Sequence, residues 1–108
     1  MSLPAEIDVK ELKRLRDTGA AFVLLDVRED DELALARLDF AKHIPLGDVP
    51  QRLAELDKNA DIVVMCHGGR RSDRAARYLR ENGFANVANL AGGIDAWSEE
   101  IDSSVPTY

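Results

Sequence analysis

The single cysteine of this chain, Cys66, closes a short apolar run, Ile62-Val63-Val64-Met65, and is followed by His67-Gly68-Gly69-Arg70-Arg71-Ser72. An apolar run that breaks at two glycines and then takes up a 3.6-residue period reads as a strand, a tight loop and a helix N-terminus in series. Glycine permits the conformations a curled loop needs, and the first N–H groups of the following helix have no intrahelical partner. The N–H groups of residues 67 to 71 are therefore expected to converge on one point and cradle an anion. The side chains of Arg70 and Arg71 and the positive end of the helix act in the same direction. A thiol held there ionises more readily than its reference value of about 8.5, because the surrounding field favours the thiolate. Cys66 is thus the candidate nucleophile, with His67, Gly68, Gly69, Arg70 and Arg71 as its anion-cradling loop. The competing reading is a small buried hydrophobe at a strand end followed by an ordinary Gly-Gly turn.

Charge is distributed unevenly around this loop. Between Cys66 and Arg80, five arginines (70, 71, 74, 77 and 80) stand against Asp73 alone, so the segment carries +4 and the rest of the chain −10, for a net charge of −6. Arg77 and Arg80 are expected on the solvated face of a helix. The acidic remainder argues against a general nucleic-acid or anionic-membrane binder. With one cysteine there is no internal disulfide, and with only His43 and His67 beside it a metal site is poorly supplied; neither a metal nor a cofactor is called for. The sequence opens Met-Ser-Leu-Pro-Ala-Glu, without a basic segment leading into an apolar one, and no run approaches the roughly 18 apolar residues of a membrane span. The expected location is therefore cytoplasmic. A length of 108 residues with 45% hydrophobic content is expected to form one domain over residues 1–108.

The elements that must position the loop are legible on both sides of it. Ile7 to Leu15 reads as a first helix capped by Asp8, with Glu11 at the third position and Gly19 beyond its end. Ala21 to Leu25 is a nearly continuous apolar run that closes on Asp26-Val27-Arg28, as expected of a strand buried on both faces of a parallel sheet. A carboxylate at the carboxyl edge of such a strand lies where these folds place their ligands, though it also suits a turn cap or an arginine partner. Asp30 to Leu38 is weakly helical. Phe40 to Gly47 reads as a short extended segment shaped by Pro45, in which His43 is a structural hydrogen-bonder. Pro50 to Leu56 suits a short helix. The helix from Ser72 stops at Asn82-Gly83, and its small Ala75 and Ala76 allow it to lie close to the sheet. A further strand lies within Phe84 to Leu90, and Ala91-Gly92-Gly93 turns into a last helix with Ile94, Trp97 and Ile101 on its inner face; Trp97 is read as core. Alternating strands and helices imply an α/β domain with a parallel sheet covered on both faces.

Leu-x-Gly-Gly-Ile-x-Ala-Trp (Leu90 to Trp97), Asp26-Val27-Arg28, His43-Ile44-Pro45 and the loop from Cys66 to Ser72 together resemble the rhodanese family of sulfurtransferases over nearly the whole chain. The resemblance implies a small single domain with a central parallel sheet of about five strands flanked by helices. It also implies a persulfide on Cys66, with Arg71 against the bound anion. Asp26 and Arg28, with Ser72 after the loop, are expected to support the site and not to enter the chemistry. The implied reaction is that of a thiosulfate sulfurtransferase. The Cys66 thiolate takes the outer sulfur of a small anionic donor, sulfite leaves, and a thiol or cyanide accepts the sulfur in a ping-pong cycle. A short loop is expected to leave the sulfur open to solvent. The alternative is a persulfide carrier or regulatory module that exchanges sulfur only with a protein donor or acceptor. His67 bears on that choice, since family members active on thiosulfate often have Arg there. A cysteine phosphatase or arsenate reductase would need Arg six places after the cysteine, where this chain has Ser72; Arg71 comes one position too early.

Overall fold

The computed structural model describes residues 3–108. Five strands form one sheet in the order β1-β5-β4-β2-β3, with β1 Glu6–Ile7, β2 Val23–Asp26, β3 Ala41–His43, β4 Ile62–Met65 and β5 Val87–Leu90. All four pairings are parallel. The helices are α1 Val9–Asp17, α2 Asp30–Leu35, α3 Arg70–Glu81 and α4 Gly93–Glu100, and a 3₁₀ run spans Leu46–Glu55. The expected parallel α/β architecture is the one observed.

Strand side chains alternate between two separate cores, which is why the strands read as unbroken apolar runs. Leu24, Val63, Met65, Ala88 and Leu90 pack with α1 and α4 through Leu12, Leu15, Ile94 and Trp97. Trp97 is buried and meets the Phe40 ring at a centroid distance of 5.9 Å. On the other face Leu25, Val64 and Cys66 pack with Ala75, Ala76 and Leu79 of α3 and with Val49 of the 3₁₀ run. Cys66 therefore belongs to the α3 side of the sheet.

Several boundaries differ from the sequence reading. Ile7 lies in β1, hydrogen-bonded beside β5, and α1 starts only at Val9; a two-residue strand is too short to show a period. Asp8 is the cap, accepting the Glu11 N–H at 2.9 Å. The segment from Asp30 is helical only to Leu35, because Ala36 turns extended and its carbonyl accepts from Arg28 at 2.8 Å. The helix expected from Pro50 is a 3₁₀ run beginning at Leu46, with Pro50 inside it and a bend at Arg52. α3 begins at Arg70 and not at Ser72, since Gly69 supplies the left-handed turn (φ 114°) immediately before it. Arg77 is solvated and paired with Asp73, but Arg80 reaches the carbonyls of Ala5 and Val87 at 3.0 and 3.1 Å and ties α3 to the sheet edge.

Candidate active site

β2 and β4 are neighbours in register, Asp26 opposite Met65, so the two chain segments leaving them at the carboxyl edge run side by side. The first is a buried ion pair. Arg28 is fully buried and holds Asp26 through Nε and Nη2, at 3.0 and 2.8 Å, while its own backbone N–H donates to Asp26 Oδ1 at 3.0 Å. Its remaining donors reach the carbonyl of Ala36 and the hydroxyl of Tyr108 at 2.8 and 2.9 Å. Burial lowers the Arg28 pKa, but these partners outweigh it and keep the guanidinium firmly charged. His43 donates from Nε2 to the Arg28 carbonyl at 2.6 Å, a structural contact at a strand corner. Val27 donates to the Met65 carbonyl at 3.0 Å, which joins this segment to the strand that carries Cys66.

The second segment is the cysteine loop. Cys66 is only 1% exposed, so the expectation of a sulfur open to solvent is corrected: the loop folds over Sγ and α3 packs against it. Gly69 donates its N–H to Sγ at 3.1 Å, and Ser72 Oγ lies 3.3 Å away. Burial pushes the thiol up, but the Ser72 hydroxyl and the N–H groups of Ser72, Gly69 and Gly68 outweigh it, and the net direction is down. The Ser72 hydroxyl has one hydrogen to give, and it donates to Asn89 Oδ1 at 2.5 Å; Asn89 Nδ2 in turn donates to the Gly69 carbonyl at 3.1 Å. A neutral Cys66 is thus positioned to donate to Ser72, whereas a thiolate draws the hydroxyl hydrogen away from Asn89. Asn89 escaped the sequence reading; its one signal is an amide inside the otherwise apolar strand Val87-Ala88-Asn89-Leu90.

The second Gly-Gly pair serves the underside of the loop. α4 starts at Gly93, and its first N–H groups meet the loop carbonyls, Ile94 to Cys66 at 3.0 Å and Asp95 to His67 at 3.2 Å. A Cβ on Gly93, at φ 59°, would lie 2.3 Å from the His67 carbonyl oxygen and 2.5 Å from that of Cys66. Only glycine permits so close an approach.

The loop arginines have different surroundings. The guanidinium of Arg71, which the resemblance places against a bound anion, forms a bidentate pair with Glu32 at 2.5 and 2.9 Å. Arg71 holds the Glu32 carboxyl down to about 2 against its burial, with help from the Tyr108 hydroxyl and the Glu29 N–H. Arg70 is exposed and has no side-chain partner among the described residues. Tyr108, which nothing in the sequence ties to the site, spans both segments. Its hydroxyl donates to Glu32 at 2.7 Å and its ring stacks on His67 at 4.1 Å, nearly parallel. Burial, opposed by Arg28 and aided by Glu32, pushes its phenol up to about 12. Beneath that ring His67 Nε2 is buried without a hydrogen-bond partner, 4.0 Å from Asp95 Oδ1. Among the described residues no three His, Cys, Asp or Glu side chains are grouped to hold a metal, and no helix is long and apolar enough to cross a membrane.

The family description "Rhodanese-like domain" matches residues 8–100. The chain belongs to the rhodanese-like domain family. This rhodanese-like domain is 40% identical over 101 residues to the putative sulfur carrier protein YrkF of Bacillus subtilis, a match that covers 94% of the chain and 54% of YrkF. It therefore spans about half the length of that relative. It is also 40% identical over 95 residues to the putative sulfurtransferase YtwF of the same organism, covering 88% of the chain and 91% of YtwF. Among solved structures, a rhodanese-like domain protein from Staphylococcus aureus superimposes with a TM-score of 0.82 at 31% identity, over 100% of this chain and 99% of that one.

Proposed function

We propose that this rhodanese-like domain carries sulfane sulfur as a persulfide on Cys66 and exchanges it with protein thiols. The observation that carries the reading is the setting of Cys66 Sγ: 1% exposed, at the end of a parallel strand, receiving the Gly69 N–H at 3.1 Å. In loading, the Cys66 thiolate attacks the outer sulfur of a donor persulfide; the S–S bond of the donor breaks, its thiolate leaves, and the new S–S bond is on Cys66. In unloading, an acceptor thiolate attacks the outer sulfur of Cys66-S-S⁻ and the Cys66 thiolate departs. No net oxidant or reductant is needed, and no general acid or base is required because every attacking and leaving group is a thiolate. The loop N–H groups stabilise the anionic sulfur as an oxyanion hole does, and one such donor is worth about 3 kcal/mol.

Three features support exchange with a protein over a small free donor. A sulfur this enclosed favours a donor held in register by a larger body, where orientation does much of the work. The planar fork of Arg71, the natural seat for a dianion, is already occupied by Glu32. The likeness to a protein named as a sulfur carrier points the same way. Thiosulfate:cyanide sulfurtransfer is the second reading, and the +4 charge of residues 66–80 favours it.

The test is to weigh the intact protein after incubation with thiosulfate, and separately with a cysteine desulfurase and cysteine. The expected result is a reducible gain of one sulfur atom from the desulfurase and little or none from thiosulfate. A full gain from thiosulfate that cyanide removes would favour the second reading. Hydrolysis of an aryl phosphate with no sulfur gain from either source would defeat both.

A further inference from the structure

Beside the loop, on the sheet face that Cys66 shares, a cavity of about 480 Å³ opens between α3 and the 3₁₀ run. Its walls are apolar, from Leu46, Val49, Pro50, Ala75 and Tyr78, and its rim carries Arg71 and Arg74. The α3 contributions, at 71, 74, 75 and 78, follow the helical spacing of a single face, so the loop and the cavity are presented together. Arg71 is committed to Glu32. Arg74 is exposed and, like Arg70, has neither an ion pair nor a side-chain hydrogen bond among the described residues. One acid, Glu29, also lines the recess; it is exposed, and its backbone carbonyl accepts the Glu32 N–H at 3.1 Å. The result is an apolar recess flanked by uncommitted guanidinium groups on a chain that is otherwise strongly acidic.

From this juxtaposition we propose that the face is a docking surface for the sulfur-exchanging protein. A segment of the partner that carries carboxylates and an apolar side chain next to its reactive cysteine would place the apolar group in the recess and the carboxylates against Arg74 and Arg70. This rests on the protein-exchange reading above and adds the chemistry of the partner. Charge complementarity selects the occupant: residues 66–80 carry +4 against −10 for the rest of the chain, so an acidic segment is favoured at this face over the chain as a whole. The recess supplies the apolar anchor around which interface energy concentrates.

The experiment uses synthetic cysteine decapeptide persulfides in acidic, uncharged and basic versions, each with Leu or Gly beside the cysteine. Sulfur transfer to Cys66 is followed by intact mass, with the small uncharged persulfide of 2-mercaptoethanol as reference donor. At low salt the acidic peptide is expected to react about tenfold faster than the basic one, with the gap closing at high salt. Leu beside the cysteine should speed transfer at both salt levels, and Arg74→Glu should invert the ranking of acidic and basic peptides. Because the readout is a ratio between peptides on one protein, a general loss of activity in the variant does not obscure it. Equal rates for all charges, or a ranking that Arg74→Glu leaves intact, would overturn the docking surface while transfer itself stood. A salt-dependent dimer dissociated by Arg74→Glu would give the face to a second copy and overturn it equally. Failure of every donor, the small persulfide included, would instead sink the persulfide-exchange reading.

Discussion

Two chain segments leave neighbouring strands at the same sheet edge, and they are built to opposite ends. In Asp26-Val27-Arg28 a fully buried ion pair has its donors matched to a carboxylate, a carbonyl and a hydroxyl. In the Cys66 loop the bonding is left adjustable: one serine hydrogen serves either Asn89 or the sulfur, and His67 Nε2 has no partner. A buried charge is tolerable only when fully satisfied, so the first segment is rigid by necessity. On the persulfide-exchange reading proposed above, Cys66 alternates between thiol, thiolate and persulfide and needs donors that can be reassigned. The inert segment holds the reactive one in place through the Val27 N–H and, by way of Tyr108, through Glu32 and Arg71.

Substitutions that separate the two segments sharpen this contrast. The largest effect belongs to Cys66→Ser, which should abolish sulfur gain in the mass assay while leaving far-UV circular dichroism and the urea midpoint near those of the parent. On the inert side, Arg28→Ala strands a buried Asp26 carboxylate and should cost about 3–5 kcal/mol in urea unfolding. A loss under about 1 kcal/mol, the value for an exposed pair, would show that the pair does not anchor the edge.

Gly93→Ala forces a Cβ into the carbonyls of Cys66 and His67 and places alanine at positive φ, so a loss of about 2 kcal/mol is expected, with slower sulfur loading. Ser72→Ala should be milder, because it removes one stabiliser of the thiolate and moves the alkylation pH profile of Cys66 upward. A tenfold weaker acidity of the thiol would correspond to about 1.4 kcal/mol of lost thiolate stabilisation. An unmoved profile would mean that the Ser72 hydrogen stays with Asn89.

The smallest effect concerns pH. Glu32 is held down to about 2 in the folded chain, so its contribution to stability is complete above its ordinary carboxyl range near 4.5 and is lost as pH falls toward 2. Urea midpoints measured down that acid limb should decline less steeply for Glu32→Gln than for the parent; parallel curves would deny the pair a role in holding Arg71.

Cys66, its glycines and the strand before it are legible in the chain because strand, turn and helix start are local patterns of adjacent residues. The same holds for the Asp8 cap and for Trp97 in the core. Glu32, Asn89 and Tyr108 are legible only in space, since they meet the two segments of the site across separations of 39, 17 and 80 residues in the contacts Glu32 to Arg71, Asn89 to Ser72 and Tyr108 to Arg28. Arg71 illustrates the limit: its type and position announce an anion, but which anion it holds depends on an acid from another helix.

Sequence alone therefore determined the alternation of strands and helices, the burial of the sheet on both faces and the placing of the single cysteine at a strand-to-loop corner. These follow from hydrophobic period, glycine placement and the lack of any second cysteine. Tertiary structure alone decided how exposed the sulfur is, which arginines are committed and which remain open, and what closes the loop from above and below. Those are properties of packing and of charge pairing between distant segments, and no local pattern encodes them.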